Sequence, residues 1–200
     1  GEDVIKAVAG GRRICEHFHL PVQAGGDRVL KAMNRGYSRD GYLRLVESVR
    51  RHVPDASVTT DIIVGFPGET EKDFADTLSL VESVRYDAAY TFMYSPRSGT
   101  PAAGMDGQVP ETVKKARLTA LMQMQNKISL DINRKLAGSV QEVMVEGVSE
   151  TNENNLSGRT RTNKIVVFPP GSRSLAAGET VPVKITSGQT WILKGTIAER

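Results

Sequence analysis

The chain has 200 residues, and its 39% hydrophobic and 24% charged side chains exclude an extensively disordered polypeptide and suit one or two globular domains. Its 26 basic and 23 acidic residues give a net charge of +3, which permits a polyanionic partner without requiring one. No apolar run approaches the roughly 18 residues of a spanning helix and no signal-peptide pattern is present, so we expect a soluble, cytoplasmic protein without a membrane partner.

The only cysteine, Cys15, limits the chemistry that this sequence can perform by itself. One thiol excludes an internal disulfide framework and a metal site built from several thiolates. Because Cys15 has no partner at ligand spacing, we expect it to be a packed strand residue. The sequence begins at Gly1, on what reads as the end of a helix at 2–9, and we expect it to be a fragment.

Strands and helices alternate in the first part of the chain. β-branched and apolar runs predict strands at 14–22, 57–64 and 88–94. Helical spacing of apolar residues predicts the intervening helices, at 28–34, from Ser38 to Pro54, and at 71–85. This alternation indicates parallel βαβ units with right-handed crossovers. Three strands are too few to close a barrel, so we expect at most part of one.

The character of the chain changes after Tyr94. Proline and glycine recur from Ser95 to Gly104 and predict a long loop, after which Pro110 begins a helix that continues to about Leu136. Basic residues outnumber acidic ones in this helix, and we interpret them as a solvated face. Period-two patterns then predict a small antiparallel OB-like barrel, with strands at 140–146, 156–162, 165–168, 181–186 and 191–197.

A strand, a tight loop and a helix start meet in the segment 59–70. Ligands bind α/β folds at the carboxyl ends of such strands. Asp61 needs a partner on a buried strand, so we favour an orientation towards this site, with a structural ion pair as the alternative. Glu69 is more simply an acid at a helix N-terminus.

Basic residues on the predicted barrel point to a nucleic acid. Arg159 and Arg161 share a strand face by two-residue alternation, and like charges on one face suit a phosphate backbone better than a core. Trp191, the only tryptophan, could stack on a base, but a core position is the more common one and is the one we expect.

Several motifs together resemble a known family. The segments HLPVQAGGDRVLKAMNRGY (19–37), TDIIVGFPGET (60–70) and YSPRSGTPA (94–102) resemble the carboxyl-terminal half of a radical S-adenosylmethionine (SAM) methylthiotransferase. GRTRTNKIVVF (158–168) resembles the RNA-binding TRAM domain of those enzymes. The combination of MNRGY, YSPR and GRTRTNK is similar to the branch that acts on N6-isopentenyladenosine beside the tRNA anticodon.

The resemblance implies an α/β fold in two parts. Residues 1–136 would be the C-terminal part of a radical SAM partial (βα) barrel with parallel strands, including the connecting helix 110–136, and residues 137–200 would be the TRAM domain. It also implies SAM and two [4Fe-4S] clusters, one that reduces SAM to a radical able to take hydrogen from adenine C2, and one that supplies sulfur. Clusters need thiolates, and in this family those lie further towards the amino terminus. We therefore expect neither metal ligands nor catalytic residues in this chain, and no activity from it alone.

The resemblance further assigns partners and site residues. The partners are a tRNA carrying N6-isopentenyladenosine and an electron donor such as flavodoxin or ferredoxin, with the enzyme as a monomer. The SAM-binding residues would be Gln23, Asp61, Gly65 and Tyr94. The RNA-binding residues would be Arg97, Arg159, Arg161, Asn163 and Lys164.

Alternatives remain open at this point. Gln23 is equally well an ordinary loop residue, and Arg97 could merely fix its own loop. A sister methylthiotransferase that acts on threonylcarbamoyladenosine or on a ribosomal protein is one alternative function, and a non-catalytic RNA-binding module is another.

Overall fold

The computed structural model describes residues 1–172 and 174–198, which form two compact units. The first unit contains residues 1–7 and 18–128, and the second contains residues 8–17 and the chain from 129. The last two residues of the predicted second domain, 199 and 200, lie outside the described residues. Up to the end of the long helix the elements are α1 (Glu2–Gly10), β1 (His17–His19), α2 (Asp27–Ala32), α3 (Arg39–His52), β2 (Ser57–Val64), α4 (Glu71–Val84), β3 (Ala88–Met93), a short 3-10 helix (Pro101–Gly104) and α5 (Glu111–Arg134).

A three-stranded sheet in the order β1-β2-β3 forms the centre of the first unit. Strands β2 and β3 pair in parallel from Thr59 opposite Ala88 to Val64 opposite Met93, which confirms the predicted βαβ arrangement. On one face of β2 the side chains of Ile62 and Val64 are fully buried. Because strand residues alternate between the two faces, Asp61 and Ile63 lie on the opposite face, and their side chains are only partly buried.

Helix α4 begins directly after the loop that follows β2. Thr70 is its N-cap, and a capping box forms because the Thr70 side chain accepts from the Asp73 backbone while Asp73 accepts from the Thr70 N–H. The Arg28 side chain pairs with the same carboxylate. Burial alone would raise the pKa of Asp73, but Arg28 and Thr70 bind its charged form and hold the pKa well below the ordinary value.

The second unit is a closed five-stranded barrel in the order β4-β5-β6-β8-β7, which confirms the predicted OB-like architecture. Strands β4 and β7 pair with each other and so close the barrel. The strands are β4 (Val140–Ser149), β5 (Asn152–Thr160), β6 (Ile165–Phe168), β7 (Thr180–Gly188) and β8 (Ile192–Ile197). Its core consists of alternate, inward-facing side chains: Val143, Val145, Val166, Phe168, Val181, Val183, Ile185 and Leu193.

The predicted strand at 14–22 is wrong in extent, because only His17–His19 is a strand. Pro21 has no N–H to donate and interrupts the ladder. Beyond β1 the backbone of β2 is met by Leu20, whose N–H donates to the Thr59 carbonyl, and by Gln23, while the Val22 N–H donates to the Thr60 side chain. Cys15 precedes the strand and is exposed, so the expectation of a packed cysteine is also wrong.

Strand β5 ends at Thr160, two residues earlier than predicted. A tight turn follows, in which the Asn163 N–H donates to the Thr160 carbonyl at 2.9 Å and Asn163 has a φ of 60°. Asparagine tolerates this left-handed conformation better than most residues. Arg161 therefore lies in a turn, and the prediction that it shares a strand face with Arg159 is wrong.

Trp191 lies outside the barrel core, with 72% of its surface exposed, so the expectation of a core position is wrong.

In residues 1–172 and 174–198, none of the helices combines the length and the apolar composition that crossing a bilayer demands. The predicted boundary at 136 and 137 lies between the end of α5 and the start of β4, whereas the division between the two units falls within α5.

We expect Asp73→Asn to lower the free energy of unfolding by about 2 kcal/mol at neutral pH, because it removes hydrogen bonds to a charged group. The depressed pKa of Asp73 makes this stabilisation fully present above the unfolded value of about 4 and causes its loss as the pH falls towards the folded value. Urea unfolding of both proteins at neutral and acid pH measures the difference, and the exposed Asp55→Asn is the control. A difference that stayed constant with pH would contradict the assignment.

Candidate functional site

A cavity of about 770 Å³ opens at the carboxyl ends of β2 and β3, within the size range of small-molecule and cofactor sites. Four of the sequence-predicted site residues line it together, namely Gln23, Asp61, Tyr94 and Arg97. Apolar side chains form much of the remaining wall, including Met33, Ile63, Phe66, Phe92 and Met105. This mixture of polar and apolar lining residues suits a ligand that has both an apolar ring and polar substituents.

Gln23 is held at the cavity in an unusual backbone conformation. Its φ is 67°, and its N–H and carbonyl bond to the Asp61 carbonyl and the Ile63 N–H of β2, at 2.8 and 2.9 Å. A non-glycine residue in this region costs of order 1–3 kcal/mol, and such strain clusters at functional sites. The two β2 hydrogen bonds fix the residue despite that cost.

The open face of the sheet carries polar and aromatic side chains side by side. Asp61 and Ile63 of β2 lie opposite Tyr90 and Phe92 of β3, and both rings are more than half exposed. The Asp61 carboxylate also lies 3.5 Å from the His19 imidazole, a contact that is ionic only when His19 is protonated. Asp61 thus both lines the cavity and has a neighbour on β1.

Three contacts hold Tyr94 in place, but its hydroxyl group has no hydrogen-bond partner among the described residues. Its ring packs edge-to-face on Phe66 at 5.2 Å, Lys114 lies over the ring, and the Lys114 ammonium donates to its carbonyl at 3.0 Å. The buried Oη has no hydrogen-bond partner within the described part of the chain. A buried hydroxyl without a partner is costly, so this atom is available for a ligand.

Gly65 does not line the cavity. It has a φ of 73°, and a Cβ on it would lie 2.4 Å from Cγ of Lys114. The resemblance named Gly65 as a SAM-binding residue, whereas its close neighbour in the structure is the Lys114 side chain. Glycine is required here both by the conformation and by the space.

A buried ion pair lies beneath the loop at 65–70. The Glu69 side chain is 1% exposed, and its Oε2 accepts from the Gly65 N–H and from Nη1 of Arg117, both at 2.7 Å. Arg117, 6% exposed, also pairs with Glu71. Burial raises the pKa of Glu69, although Gly65 and Arg117 bind its charged form. The interpretation of Glu69 as a simple helix N-terminal acid is therefore wrong.

The solvated face predicted for α5 is wrong at two positions. Lys114 and Arg117 are buried and reach the loop that borders the cavity. The sequence analysis also missed Asn34 and Arg35, which line the cavity after α2. Asn34 has a φ of 56°, and its place in the MNRGY motif was the available signal.

The residues present do not fit an iron–sulfur cluster. The sequence has one cysteine, Cys15, which is exposed and is not among the residues that line the cavity. Across residues 1–172 and 174–198, no three His, Cys, Asp or Glu side chains are grouped so as to hold a metal ion. Cluster ligands would have to come from residues outside this sequence.

Three of the predicted RNA-binding residues lie close together on the barrel. Arg159 donates to Glu146 at 2.8 Å and to the Asn163 side chain at 3.1 Å, and Lys164 closes the same turn through its N–H to Thr160. Arg159, Asn163 and Lys164 therefore lie together at one end of β5 and β6. Arg97 lies in the first unit, at the cavity.

Arg161 has a different environment from the other basic residues. Its guanidinium forms a two-pronged pair with Glu16, with two distances of 2.8 Å, and donates to the Ile14 carbonyl at 2.6 Å. The hydrogen bond to Arg161 lowers the pKa of Glu16. Arg161 thus fixes the segment before β1 onto the barrel, within the second unit.

Two family models match separate parts of the chain. Residues 2–81 match the model of the Radical SAM superfamily, and residues 134–198 match that of the TRAM domain. Among solved structures, the chain is similar to coproporphyrinogen III oxidase from Escherichia coli, described as a radical SAM enzyme, with a TM-score of 0.52 and 17% identity over 80% of this chain and 44% of that one. At this identity the likeness shows the fold alone.

Curated relatives named tRNA-2-methylthio-N(6)-dimethylallyladenosine synthase share much higher identity. The relative from Carboxydothermus hydrogenoformans is 56% identical over 196 residues, and that from Moorella thermoacetica is 55% identical over 197 residues. Each alignment covers 98% of this chain and 44% of the relative. The chain therefore spans less than half the length of these relatives.

We expect Arg117→Met to lower the free energy of unfolding by about 3–5 kcal/mol, because it leaves the Glu69 carboxylate buried without its partner. The double variant with Glu69→Gln should regain part of this loss, since no uncompensated charge remains. Urea unfolding followed by circular dichroism measures both. Arg51→Met, which breaks an exposed pair with Glu47, is the matched control and should cost well under about 1 kcal/mol. Equal losses for Arg117→Met and Arg51→Met would contradict a supporting role for the buried pair.

Proposed function

This chain belongs to the radical SAM methylthiotransferases that carry a TRAM domain, and from that premise we propose that the whole protein methylthiolates C2 of N6-isopentenyladenosine next to the tRNA anticodon. The observation that carries the proposal is the identity to the curated synthases, which continues through both units of the chain. We assign residues 1–136 to the radical SAM portion and residues 137–200 to the TRAM portion.

The cavity of the first unit is the proposed SAM site. Its volume suits a nucleoside-sized cofactor, and Tyr94 offers a buried hydroxyl without a partner. Gln23, Asp61 and Tyr94 would hold the polar groups of SAM, while Phe66 and Ile63 would pack on its adenine. When bound, SAM supplies the radical chemistry and the methyl group.

Residues of this chain would position the bound SAM and shield it from water. The strained Gln23 backbone is held by two hydrogen bonds to β2, so its side chain starts from a fixed point. A bound SAM would cover the exposed Phe92 and Met105 side chains and displace water from the cavity, which would strengthen the polar contacts inside it. Ordering these groups in advance reduces the entropy lost on binding.

The barrel supplies the proposed grip on tRNA. Arg159, Asn163 and Lys164 would contact phosphates, an interaction that adds salt-dependent affinity without reading sequence. Arg97 would contact the substrate from the cavity. Arg161 is already paired with Glu16, so we assign it the role of positioning the segment before β1.

The remaining parts of the proposal concern the whole protein. Two [4Fe-4S] clusters would be bound by cysteines outside this sequence, with flavodoxin or ferredoxin as the electron donor. The protein would work as a monomer in the cytoplasm. None of these cluster ligands comes from the residues described above.

Nucleoside analysis of tRNA from a deletion strain tests the reaction. The proposal requires loss of the 2-methylthio form and accumulation of N6-isopentenyladenosine, with recovery on expression of the whole gene. Loss of a methylthio group from threonylcarbamoyladenosine or from a ribosomal protein instead would support a sister enzyme. No change in any of these products would favour a non-catalytic RNA-binding module.

We expect Asp61→Asn to weaken SAM binding by the whole, cluster-loaded protein about tenfold, because it removes one charged hydrogen-bond acceptor from the cavity. Equilibrium binding of SAM measures the change. The exposed Glu82→Gln on α4 removes a carboxylate outside the cavity and is the control. Equal affinities for the Asp61 and Glu82 variants would remove Asp61 from the site.

We expect Arg159→Ala to weaken tRNA binding and to reduce the slope of log affinity against log salt by about one, as the loss of one phosphate contact does. Arg161→Ala should leave that slope unchanged and should instead lower barrel stability. Both Nε and Nη2 of Arg161 pair with Glu16, and Nη2 also bonds to the Ile14 carbonyl, whereas Arg159 meets Glu146 through Nε alone. Filter binding at several salt concentrations measures both. An unchanged slope for Arg159→Ala would argue against its phosphate contact.

A further inference from the structure

The most exposed large apolar side chain of the barrel is Trp191, just before β8. It is the only tryptophan of the chain, and 72% of its surface faces solvent. Tryptophan has the largest apolar area of any side chain and is highly buried on average. A tryptophan this exposed on a closed barrel is a candidate contact site for a binding partner.

The turn that carries Trp191 is held firmly in place. The Asn133 side-chain amide at the end of α5 donates to the carbonyls of Gln189 and Thr190, at 2.8 and 3.1 Å. A Cβ on Gly188 would lie 2.2 Å from the Asn133 carbonyl oxygen, so the backbone approaches α5 as closely as glycine allows. The indole is therefore exposed on a rigid support.

Strand register places basic residues at the same end of the barrel as this indole. Ile165 of β6 pairs in parallel with Ile192 of β8, and Lys164 and Trp191 are the residues that immediately precede this pair. Neighbouring strands are about 4.8 Å apart. Arg159 pairs with Ile165 and belongs to the same row across the sheet.

The charge of the neighbouring strands indicates the class of partner. Lys194 is exposed on β8 and neither β6 nor β8 contains an acidic residue, while Arg159 on β5 shares its charge with Glu146. An exposed aromatic ring on a barrel end that also carries basic residues matches an unpaired nucleotide, because the base can stack on the ring and its phosphates can meet the cations. An apolar protein partner would not need basic residues at this end of the barrel.

We propose that Trp191 is a stacking platform for an unpaired RNA base, with Lys164 and Arg159 on the flanking phosphates. This inference rests on the proposed tRNA-binding function and adds to it the kind of RNA element that the barrel takes. The platform recognises single-stranded loop nucleotides, because bases within a duplex are already stacked on their neighbours.

The test measures binding of the whole protein to a tRNA anticodon stem-loop and to a fully paired duplex of the same length. Trp191→Ala should weaken stem-loop binding about tenfold, and Trp191→Phe should retain most of the affinity, since stacking is worth about 1–3 kcal/mol per base. Neither variant should change the salt slope or duplex binding. Val148→Ala removes another exposed apolar side chain of the barrel and should bind normally.

Fluorescence supplies a direct second measurement. The emission difference between the wild type and Trp191→Phe isolates the Trp191 signal, and this signal should be quenched by the stem-loop but not by the duplex. Wild-type stem-loop affinity in Trp191→Ala, or an equal loss on the duplex, would overturn the platform while leaving tRNA binding intact. Failure of the wild type to bind either RNA would overturn the platform and the proposed function together.

Discussion

The buried pair between Glu69 and Arg117 is the interaction on which the first unit depends. One carboxylate oxygen accepts from the Gly65 N–H and from the guanidinium, so the loop after β2 is tied to α5 at its base. Lys114, one turn earlier on the same helix, holds the Tyr94 carbonyl and fills the space that Gly65 leaves open. Two buried cations of α5 thus fix the walls of a cavity that neither of them lines.

Local patterns in the sequence predict most of the architecture. The β-branched run at 57–64, the Gly-Phe-Pro-Gly loop and the capped helix at 71 each agree with their neighbours, and such agreement between levels is what specifies a fold. Residue alternation on β2 likewise puts Asp61 on the open face, opposite buried Ile62. The cavity could be placed from the sequence because the carboxyl ends of parallel strands meet at one edge.

Distant partners explain what the sequence could not show. Arg161 reads as a free cation next to Arg159 until folding brings Glu16, 145 residues away, onto its guanidinium. Arg117 reads as part of a solvated helix face, and only the position of the loop at 65–70 reveals that it is buried. Trp191 has the apolar character of a core residue, but it comes one residue before β8 begins, where the inward alternation no longer applies. In each case the side chain is typical of its class, and the partner or the strand end decides its role.

The two proposed sites divide recognition by physical mechanism. The cavity would select its ligand by preorganisation, since Gln23 and Tyr94 are held in place by backbone hydrogen bonds. The barrel has few unshared charges to offer, because Arg159 already meets Glu146 and Arg161 meets Glu16. Electrostatic attraction alone would therefore give the barrel weak and unselective affinity for any polyanion. An exposed aromatic ring on a rigid turn would provide the missing selectivity, because it would favour RNA whose bases are free to stack over RNA that is fully paired.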